Sequence, residues 1–332
     1  MISQSSPSLV SSNGDLNNNS ASRAVKEIAT DASFKSRSLA IPAEDDDTNV
    51  RQAYRPFLLP EAIASDDWIS HLELNTLLKM SEYDIEQNGR LKVLVLFGSL
   101  RARSFSKLLS FEAARILFRL GCDVRVYDPI RLPVKDDVQH MHPKVQELRD
   151  LSRWSDGHVW ISPEQHGNLT AVFKNQIDWI PLSTGSVRPT QGRTLAIAQV
   201  SGGSQSFNSV NSLRLLGRWM RMFTIPNQSS VPKAYTQFTD VDAAEGGSRL
   251  LPSGNRDRLV DCMEEFVKYS IVMRPHFDLF GDRYSERTEK MEKTQKLEAE
   301  QAANSLEKLD INSGSVNVGP SGNVNGVDLK KI

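Results

Sequence analysis

Serine and arginine side chains cluster directly after an apolar segment near the middle of the first half of the chain. Residues 91–97, LKVLVLF, are typical of a buried strand, and the turn of 98–106 that follows contains three serines and two arginines. Where such a turn opens a helix, free backbone N–H groups and the helix dipole attract anions. Hydroxyl and guanidinium groups strengthen that attraction. The sequence therefore predicts a phosphate site formed by Ser99, Arg101, Ser104 and Ser106.

The pattern of this turn excludes two common phosphate-binding motifs. It lacks the Gly-Lys-Ser/Thr ending of a Walker A loop, which argues against triphosphate and magnesium chemistry. It also lacks GxGxxG, because Gly98 is its only glycine. A capping serine beside a solvated arginine is the simpler alternative, but it leaves the other hydroxyls unexplained. A phosphate monoester is the ligand that the turn favours.

Two further polar loops follow predicted strands and share this edge of the predicted sheet. Ligands of open α/β sheets bind beyond the carboxyl ends of the strands. The loop after 157–163 reads PEQHGN, and its tight backbone is suited to hydrogen bonds with a flat heterocycle. The loop after 194–200 reads SGGSQSFN, in which adjacent glycines permit a close approach to a ligand. One phosphate and one planar polar ring match flavin mononucleotide, FMN.

Strands and helices alternate along the central part of the chain. Continuous apolar segments such as 91–97 and 194–200 favour buried parallel strands. Helical patterns follow the first four strands, and a last one follows the fifth. The predicted fold is α/β, a doubly wound five-stranded parallel sheet with helices on both faces. The predicted strands are 91–97, 122–128, 157–163, 194–200 and 223–229.

The composition divides the chain into four predicted segments. Residues 1–52 are rich in Ser, Asn and Asp and are expected to be disordered. Residues 53–90 form an apolar arm that packs either on its own core or on a neighbouring subunit. Residues 91–284 form the FMN-binding domain, and 285–332 form a charged helix with a disordered tail.

Bulk composition limits the choice of partners and compartment. The net charge of −1 over 332 residues gives no reason to expect nucleic acid or an anionic membrane. The longest apolar segments are too short to span a bilayer. Two distant cysteines, Cys122 and Cys262, predict neither a zinc site nor a disulfide scaffold, and they fit the reducing cytoplasm. Direct capture of a soft metalloid by thiols is also not expected, since it needs several close thiolates.

Three motifs closely resemble the ArsH family of arsenical resistance proteins, within the NADPH-dependent FMN reductases. They are GSLRARSFS at 98–106, SPEQHGNLTAVFKNQIDWIPL at 162–182 and QVSGGSQSFNSVNSLRLLGRWMRM at 199–222. The resemblance implies a flavodoxin-like fold with strand order 2-1-3-4-5 and FMN bound between strands one and three. It also implies a homotetramer in which the arm contacts a neighbour.

The resemblance assigns roles to the residues of all three loops. The first loop is implied to bind the FMN phosphate through Ser99, Arg101, Ser104 and Ser106. The isoalloxazine contacts are implied to be Pro163, Glu164, His166, Gly167 and Asn168 in the second loop and Ser201, Gly202, Gly203 and Ser206 in the third. No protein side chain is implied as a catalytic nucleophile or base, since the flavin carries the chemistry. No metal is implied.

The implied activity is hydride transfer from NADPH to FMN, followed by reduction of oxygen, quinone, azo or metal acceptors. The resemblance further implies resistance to arsenicals by oxidation of trivalent organoarsenicals. Two alternatives stay open. One is a general NAD(P)H quinone or azo reductase without an arsenical role, and the other is a non-catalytic flavin-binding protein. For the 2′-phosphate of NADPH, Arg214, Arg218 and Arg221 share a helical face, although a solvated or subunit-contacting face is favoured for them.

Overall fold

The structure is a computed structural model that describes residues 37–64, 66–181, 189–243, 247–281 and 283–313. It divides into two compact units at residue 278. The strands are β1 (Lys92–Phe97), β2 (Asp123–Val126), β3 (Gly157–Gln165), β4 (Asn168–Leu169), β5 (Thr194–Val200), β6 (Phe223–Thr224) and β7 (Ser229–Val231). The α-helices are α1 (Thr48–Tyr54), α2 (Glu61–Ala64), α3 (Asn75–Asn88), α4 (Phe105–Arg119), α5 (Pro143–Trp154), α6 (Ala171–Trp179), α7 (Asn208–Trp219), α8 (Gly254–Met273) and α9 (Tyr284–Ser313).

The first unit contains the predicted flavodoxin-like parallel sheet. Its strands run in the order β2-β1-β3-β5-β6, and each of these neighbouring pairs is parallel. The predicted order 2-1-3-4-5 is confirmed for these five positions. The strand count differs, because β4 adds a short antiparallel partner to β3 and β7 adds a second partner to β5.

The fifth position of the sheet is split into two strands, where the sequence predicts one. β6 pairs with the start of β5, and β7 pairs with its end. Pro226 lies between them and has no N–H to donate to a ladder. Polar side chains satisfy the interrupted backbone instead. The Asn227 N–H donates to Glu265 Oε1, and Arg214 donates to the carbonyl oxygens of Ile225 and Pro226.

Side chains of the central strands alternate between two apolar cores. In β1, Val93, Val95 and Phe97 belong to one core, which is completed chiefly by α3, α4 and α8. Leu94 and Leu96 belong to the other core, which α5, α6 and α7 cover. Because both faces are covered, these strands read as continuous apolar segments in the sequence.

The N-terminal part of the described chain packs on the sheet domain. Disorder was predicted for residues 1–52, of which 1–36 lie outside the described residues. The prediction is wrong for 37–52, which are ordered and include the start of α1. Leu39 packs against the apolar core and its N–H donates to Arg119 O at 2.8 Å. Asp47 caps α1 by accepting from the Asn49 N–H, and Asp46 pairs with the buried Arg55. A few apolar residues within a polar composition suffice for this contact.

The arm of 53–90 also packs on the core of its own chain. Phe57, Leu77 and Leu78 are almost completely buried in the core that contains α4 and α8. These side chains therefore pack on the core of their own chain, which is the first of the two predicted alternatives. Contact of the arm with a second subunit stays a prediction.

The second unit consists mainly of α9. Most of its side chains are exposed as far as position 306, and Lys293 pairs with Glu289 one turn earlier. Such (i, i+4) pairs support a helix in water. The predicted tail beyond position 313 lies outside the described residues. No helix in the described ranges combines the length and apolar character required to cross a bilayer.

Candidate active site

The first loop joins β1 to α4 and brings hydroxyl groups to the start of that helix. Ser104 is the N-cap, and its Oγ accepts from the Lys107 N–H at 3.2 Å. The Oγ atoms of Ser104 and Ser106 lie 3.0 Å apart, and both residues are buried. Ser99 Oγ accepts from the Arg101 N–H at 3.3 Å. These contacts fix the loop and gather donors at a helix N-terminus.

The two arginines of the first loop have different surroundings. Arg101 is exposed, and within the described ranges no side chain or carbonyl group pairs with its guanidinium group. Arg103 is partly buried and donates through Nη2 to the Thr239 carbonyl oxygen at 2.8 Å. Arg103 therefore anchors the loop to the segment after β7, while Arg101 is available to an anion.

The second loop is a hairpin at the carboxyl end of β3. Glu164 pairs with Leu169 and Gln165 pairs with Asn168, which leaves His166 and Gly167 at the tip. Both tip residues have positive φ, 51° and 73°. Two positive-φ residues at the tip are the mark of a type I′ turn, which glycine adopts without strain. The predicted tight loop is thus a two-residue hairpin turn.

The third loop follows β5 and is held by the strand beside it. The Ser201 N–H donates to Val231 O at 3.0 Å, and the Lys233 N–H donates to Gly203 O at 3.0 Å. A Cβ atom added at Gly202 or Gly203 would meet no atom within 4 Å. These glycines therefore border open space, where a ligand has room to approach the backbone.

The three loops meet in one cavity of about 400 Å³. This volume lies in the range of roughly 300–1,000 Å³ that is usual for small-molecule sites. The predicted residues that line it are Ser99, Arg101, Ser104, Ser106, Pro163, Glu164, Ser201 and Gly202. The predicted residues that lie outside its lining are His166, Gly167, Asn168, Gly203 and Ser206. Of these five, the first three lie at the hairpin tip or beside it.

Several lining residues are absent from the sequence prediction. They are Arg103, Phe105, Gln165, Thr170, Val200, Ala234 and Tyr235. Ala234 and Tyr235 follow β7, whose carboxyl end lies beside that of β5. The rule that located the other loops also applies to this strand end. The sequence prediction missed these two residues because it gave a single strand over 223–229 and did not consider the loop that follows it.

The donors of this cavity suit a phosphorylated planar heterocycle. Hydroxyl groups, a helix N-terminus and the unpaired Arg101 match a phosphate at one end. The Glu164 carboxylate and the open backbone at Gly202 provide acceptors and space for a polar ring at the other loops. The residues present therefore fit FMN. Elsewhere in the described part of the chain, no group of three or more His, Cys, Asp or Glu side chains is arranged to hold a metal ion.

Comparison with known proteins defines the class. Residues 91–236 match the family described as NADPH-dependent FMN reductase. Together with the parallel sheet, this match makes the chain a flavodoxin-like oxidoreductase. Among solved structures, the flavoenzyme NAD(P)H:(acceptor) oxidoreductase FerB from Paracoccus denitrificans is similar, with a TM-score of 0.44 and 19% identity over 56% of this chain and 97% of that chain.

Curated relatives define the family within that class. The chain is 58% identical over 200 residues to the NADPH-dependent FMN reductase ArsH of Rhizobium meliloti strain 1021, a match that covers 60% of this chain and 80% of the relative. It is 59% identical over 197 residues to the Shigella flexneri protein of the same description, covering 59% of this chain and 75% of the relative. The chain belongs to the ArsH family of NADPH-dependent FMN reductases.

Proposed function

We propose that the cavity binds FMN and that the protein passes reducing equivalents from NADPH to a small-molecule acceptor at this site. The meeting of the three polar loops in one cavity carries the proposal. Bound FMN supplies the hydride and electron chemistry, so the protein has to bind, orient and shield it. No side chain is proposed as a nucleophile or base.

The phosphate end of the site is assigned to the first loop. Ser99, Ser104 and Ser106 donate hydroxyl hydrogen bonds, and Arg101 supplies the positive charge. Because Ser104 and Ser106 are buried and already ordered by each other, little conformational entropy is lost when they bind.

The ring end is assigned to the second and third loops. Peptide groups of these loops are the proposed donors to the acceptor edge of the isoalloxazine, where they stabilise negative charge on reduction. The proposed residues are those predicted from the sequence, namely Pro163, Glu164, His166, Gly167 and Asn168, and Ser201, Gly202, Gly203 and Ser206. For the residues outside the cavity lining, this assignment places the ring across the rim of the cavity.

The acceptors proposed for this enzyme are oxygen, quinones, azo compounds and metal ions. Oxidation of trivalent organoarsenicals, with resistance as its result, is the proposed biological role and is supported by the similarity to ArsH relatives. Product formation from a trivalent methylated arsenical, followed with and without catalase, tests this role. Loss of product in catalase would assign the oxidation to released hydrogen peroxide, and an unchanged yield would assign it to the enzyme.

A homotetramer in the cytoplasm is proposed for the assembled enzyme. Two free, buried cysteines are consistent with a reducing compartment. Light scattering coupled to size-exclusion chromatography tests the oligomeric state, and cell fractionation tests the location. If the protein is a monomer at the concentration used for activity assays, the arm has no role in assembly.

The absorbance spectrum of the purified protein, before and after NADPH, is the decisive test of the proposed function. Flavin bands that NADPH bleaches would establish the flavoenzyme. Flavin that NADPH leaves oxidised would favour the non-catalytic flavin-binding protein. Colourless protein that FMN fails to reconstitute would exclude the three-loop site.

A further inference from the structure

Gln199 connects the second loop to the third loop and to α7 from within the sheet. It lies next to the last residue of β5 and is fully buried. Its Oε1 accepts from the Val210 N–H at 2.9 Å, in the first turn of α7. Its Nε2 donates to Ser206 O at 2.7 Å and to Glu164 Oε2 at 3.1 Å. All the hydrogen-bonding groups of this amide are thereby used at the carboxyl edge of the sheet.

The contact with Glu164 has the most direct consequence for a ligand. Glu164 lines the cavity, and Gln199 is the only hydrogen-bond partner of its carboxylate among the described residues. The terminal torsion of a glutamate side chain is intrinsically broad, so an unanchored carboxylate samples many orientations. Gln199 holds Oε2, and no donor within the described ranges contacts Oε1.

We infer that Gln199 is a positioning residue of the FMN site, which fixes the Glu164 carboxylate so that its free oxygen accepts a hydrogen bond from the bound ring. The imide N–H of an isoalloxazine is a donor of matching chemistry. Gln199 does not itself line the cavity and acts through Glu164. This inference rests on the proposed function.

Gln199 also contacts the third loop, but that loop has a second hydrogen bond that does not depend on Gln199. Ser206 O accepts from Ser230 Oγ at 2.7 Å as well as from Gln199. Loss of Gln199 therefore leaves Ser206 O with one donor but leaves the Glu164 carboxylate with no donor among the described residues. An effect on ligand binding is accordingly expected to travel through Glu164.

A double-mutant cycle in FMN affinity tests the inference. Gln199→Met keeps the length of the side chain and removes both the amide donors and the oxygen that accepts from the Val210 N–H. Glu164→Ala removes the carboxylate. With full-length protein and flavin fluorescence as the readout, Gln199→Met should weaken FMN binding about tenfold, as expected for one lost charge-assisted hydrogen bond. In the Glu164→Ala background it should cost less than about twofold, because its partner is already absent.

Two further variants keep the test valid if Gln199→Met folds poorly. Glu164→Asp shortens a cavity-lining side chain and withdraws its carboxylate from Gln199, so it should weaken FMN binding by a similar factor. Thr194→Val is the matched control, since it changes a buried residue at the opposite end of β5. It should leave FMN affinity unchanged.

The outcomes distinguish the inference from the function on which it rests. Wild-type protein that binds no FMN would overturn both. Wild-type protein that binds FMN, together with a Gln199→Met cost that is equal in both backgrounds, would overturn the inference alone. Full FMN affinity in Glu164→Asp would do the same.

Discussion

Thr170 Oγ1 donates a 2.6 Å hydrogen bond to the carbonyl oxygen of Gly98, which lies 72 residues earlier in the chain. Thr170 Oγ1 also accepts from the Phe173 N–H at 3.2 Å, because Thr170 is the N-cap of α6. One hydroxyl group thus joins the end of β1, where the first loop begins, to the end of the second loop. The relative position of the predicted phosphate and ring sites depends on this contact.

Gly98→Ala is expected to disturb this junction. A Cβ atom at position 98 would lie 2.8 Å from Thr170 Oγ1 and 2.9 Å from Phe173 Cβ, closer than real Cβ atoms approach. Overpacking of this kind costs about 1–3 kcal/mol. Urea unfolding of the flavin-free protein should show this loss in the free energy of unfolding, and the variant should also bind FMN more weakly. Gly202→Ala is the control for stability, because its Cβ meets no atom within 4 Å. Equal stability of the two variants would contradict the prediction.

Arg101→Ala is expected to weaken FMN binding without destabilising the fold. The guanidinium group is exposed and has no partner within the described ranges, so its removal breaks no hydrogen bond or ion pair among these residues. A charge-assisted hydrogen bond to phosphate contributes about 1.5–3 kcal/mol. Fluorescence titration with FMN measures the affinity, and thermal unfolding of the flavin-free protein measures the stability. Arg101→Lys should retain part of the affinity, since it keeps the charge but loses the planar fork. Unchanged affinity in Arg101→Ala would remove this residue from the site.

The sheet order and the three loops were predictable because each follows from local features of the sequence. Apart from Lys92, residues 91–97 are all apolar, which is typical of a strand buried on both faces. Polar and glycine-rich residues directly after such strands locate the ligand edge. The same reasoning reached eight cavity-lining residues, from Ser99 to Gly202.

Other parts of the structure depend on contacts between distant residues and were not predictable. The split of the fifth strand follows from Pro226 together with Glu265 and Arg214, which lie on two different helices. The packing of Leu39 depends on the surface that α4 presents to it. Gln199 reads as one more residue of a buried strand, and only its three partners reveal a role.

The buried ion pair between Arg249 and Glu112 is expected to contribute strongly to the free energy of unfolding. Arg249 binds Glu112 with two hydrogen bonds, of 2.7 and 2.9 Å, and Glu112 is fully buried. Arg249→Met leaves this carboxylate without its main partner, which should cost about 3–5 kcal/mol in urea unfolding. Lys174→Met is the control, because it breaks the exposed pair with Asp178 and should cost less than about 1 kcal/mol. Similar losses in the two variants would show that the buried pair is not important for stability.

The two cysteines are expected to be unreactive in the folded protein. Cys122 and Cys262 are buried, and burial raises the pKa of each thiol to about 12. Thiolate is the reactive and metalloid-binding form, so neither residue should react with a disulfide reagent near neutral pH. Both should react after unfolding. Fast reaction of the native protein would restore direct metalloid capture as a hypothesis, and Cys→Ala variants would then identify the thiol responsible.

The acid sensitivity of the fold is expected to depend partly on His158. This residue is fully buried in β3, and burial, with a smaller contribution from the charge of Arg193, lowers its pKa to about 3. The unfolded chain has a histidine pKa of about 6.5 and therefore binds more protons than the folded chain between these values. The stabilisation is complete above about pH 6.5 and is lost progressively as the pH falls toward 3.

His158→Asn removes this titration while keeping an acceptor for the Trp160 Nε1–H, which donates to His158 Nδ1 at 3.2 Å. The free energy of unfolding should fall less in the variant than in the wild type between about pH 7.5 and about pH 5, because all other groups titrate alike. Urea unfolding at the two pH values measures this difference directly, and a general loss of packing in the variant cancels from it. Parallel pH dependence of the two proteins would mean that the imidazole gains a proton in the folded state as readily as in the unfolded chain.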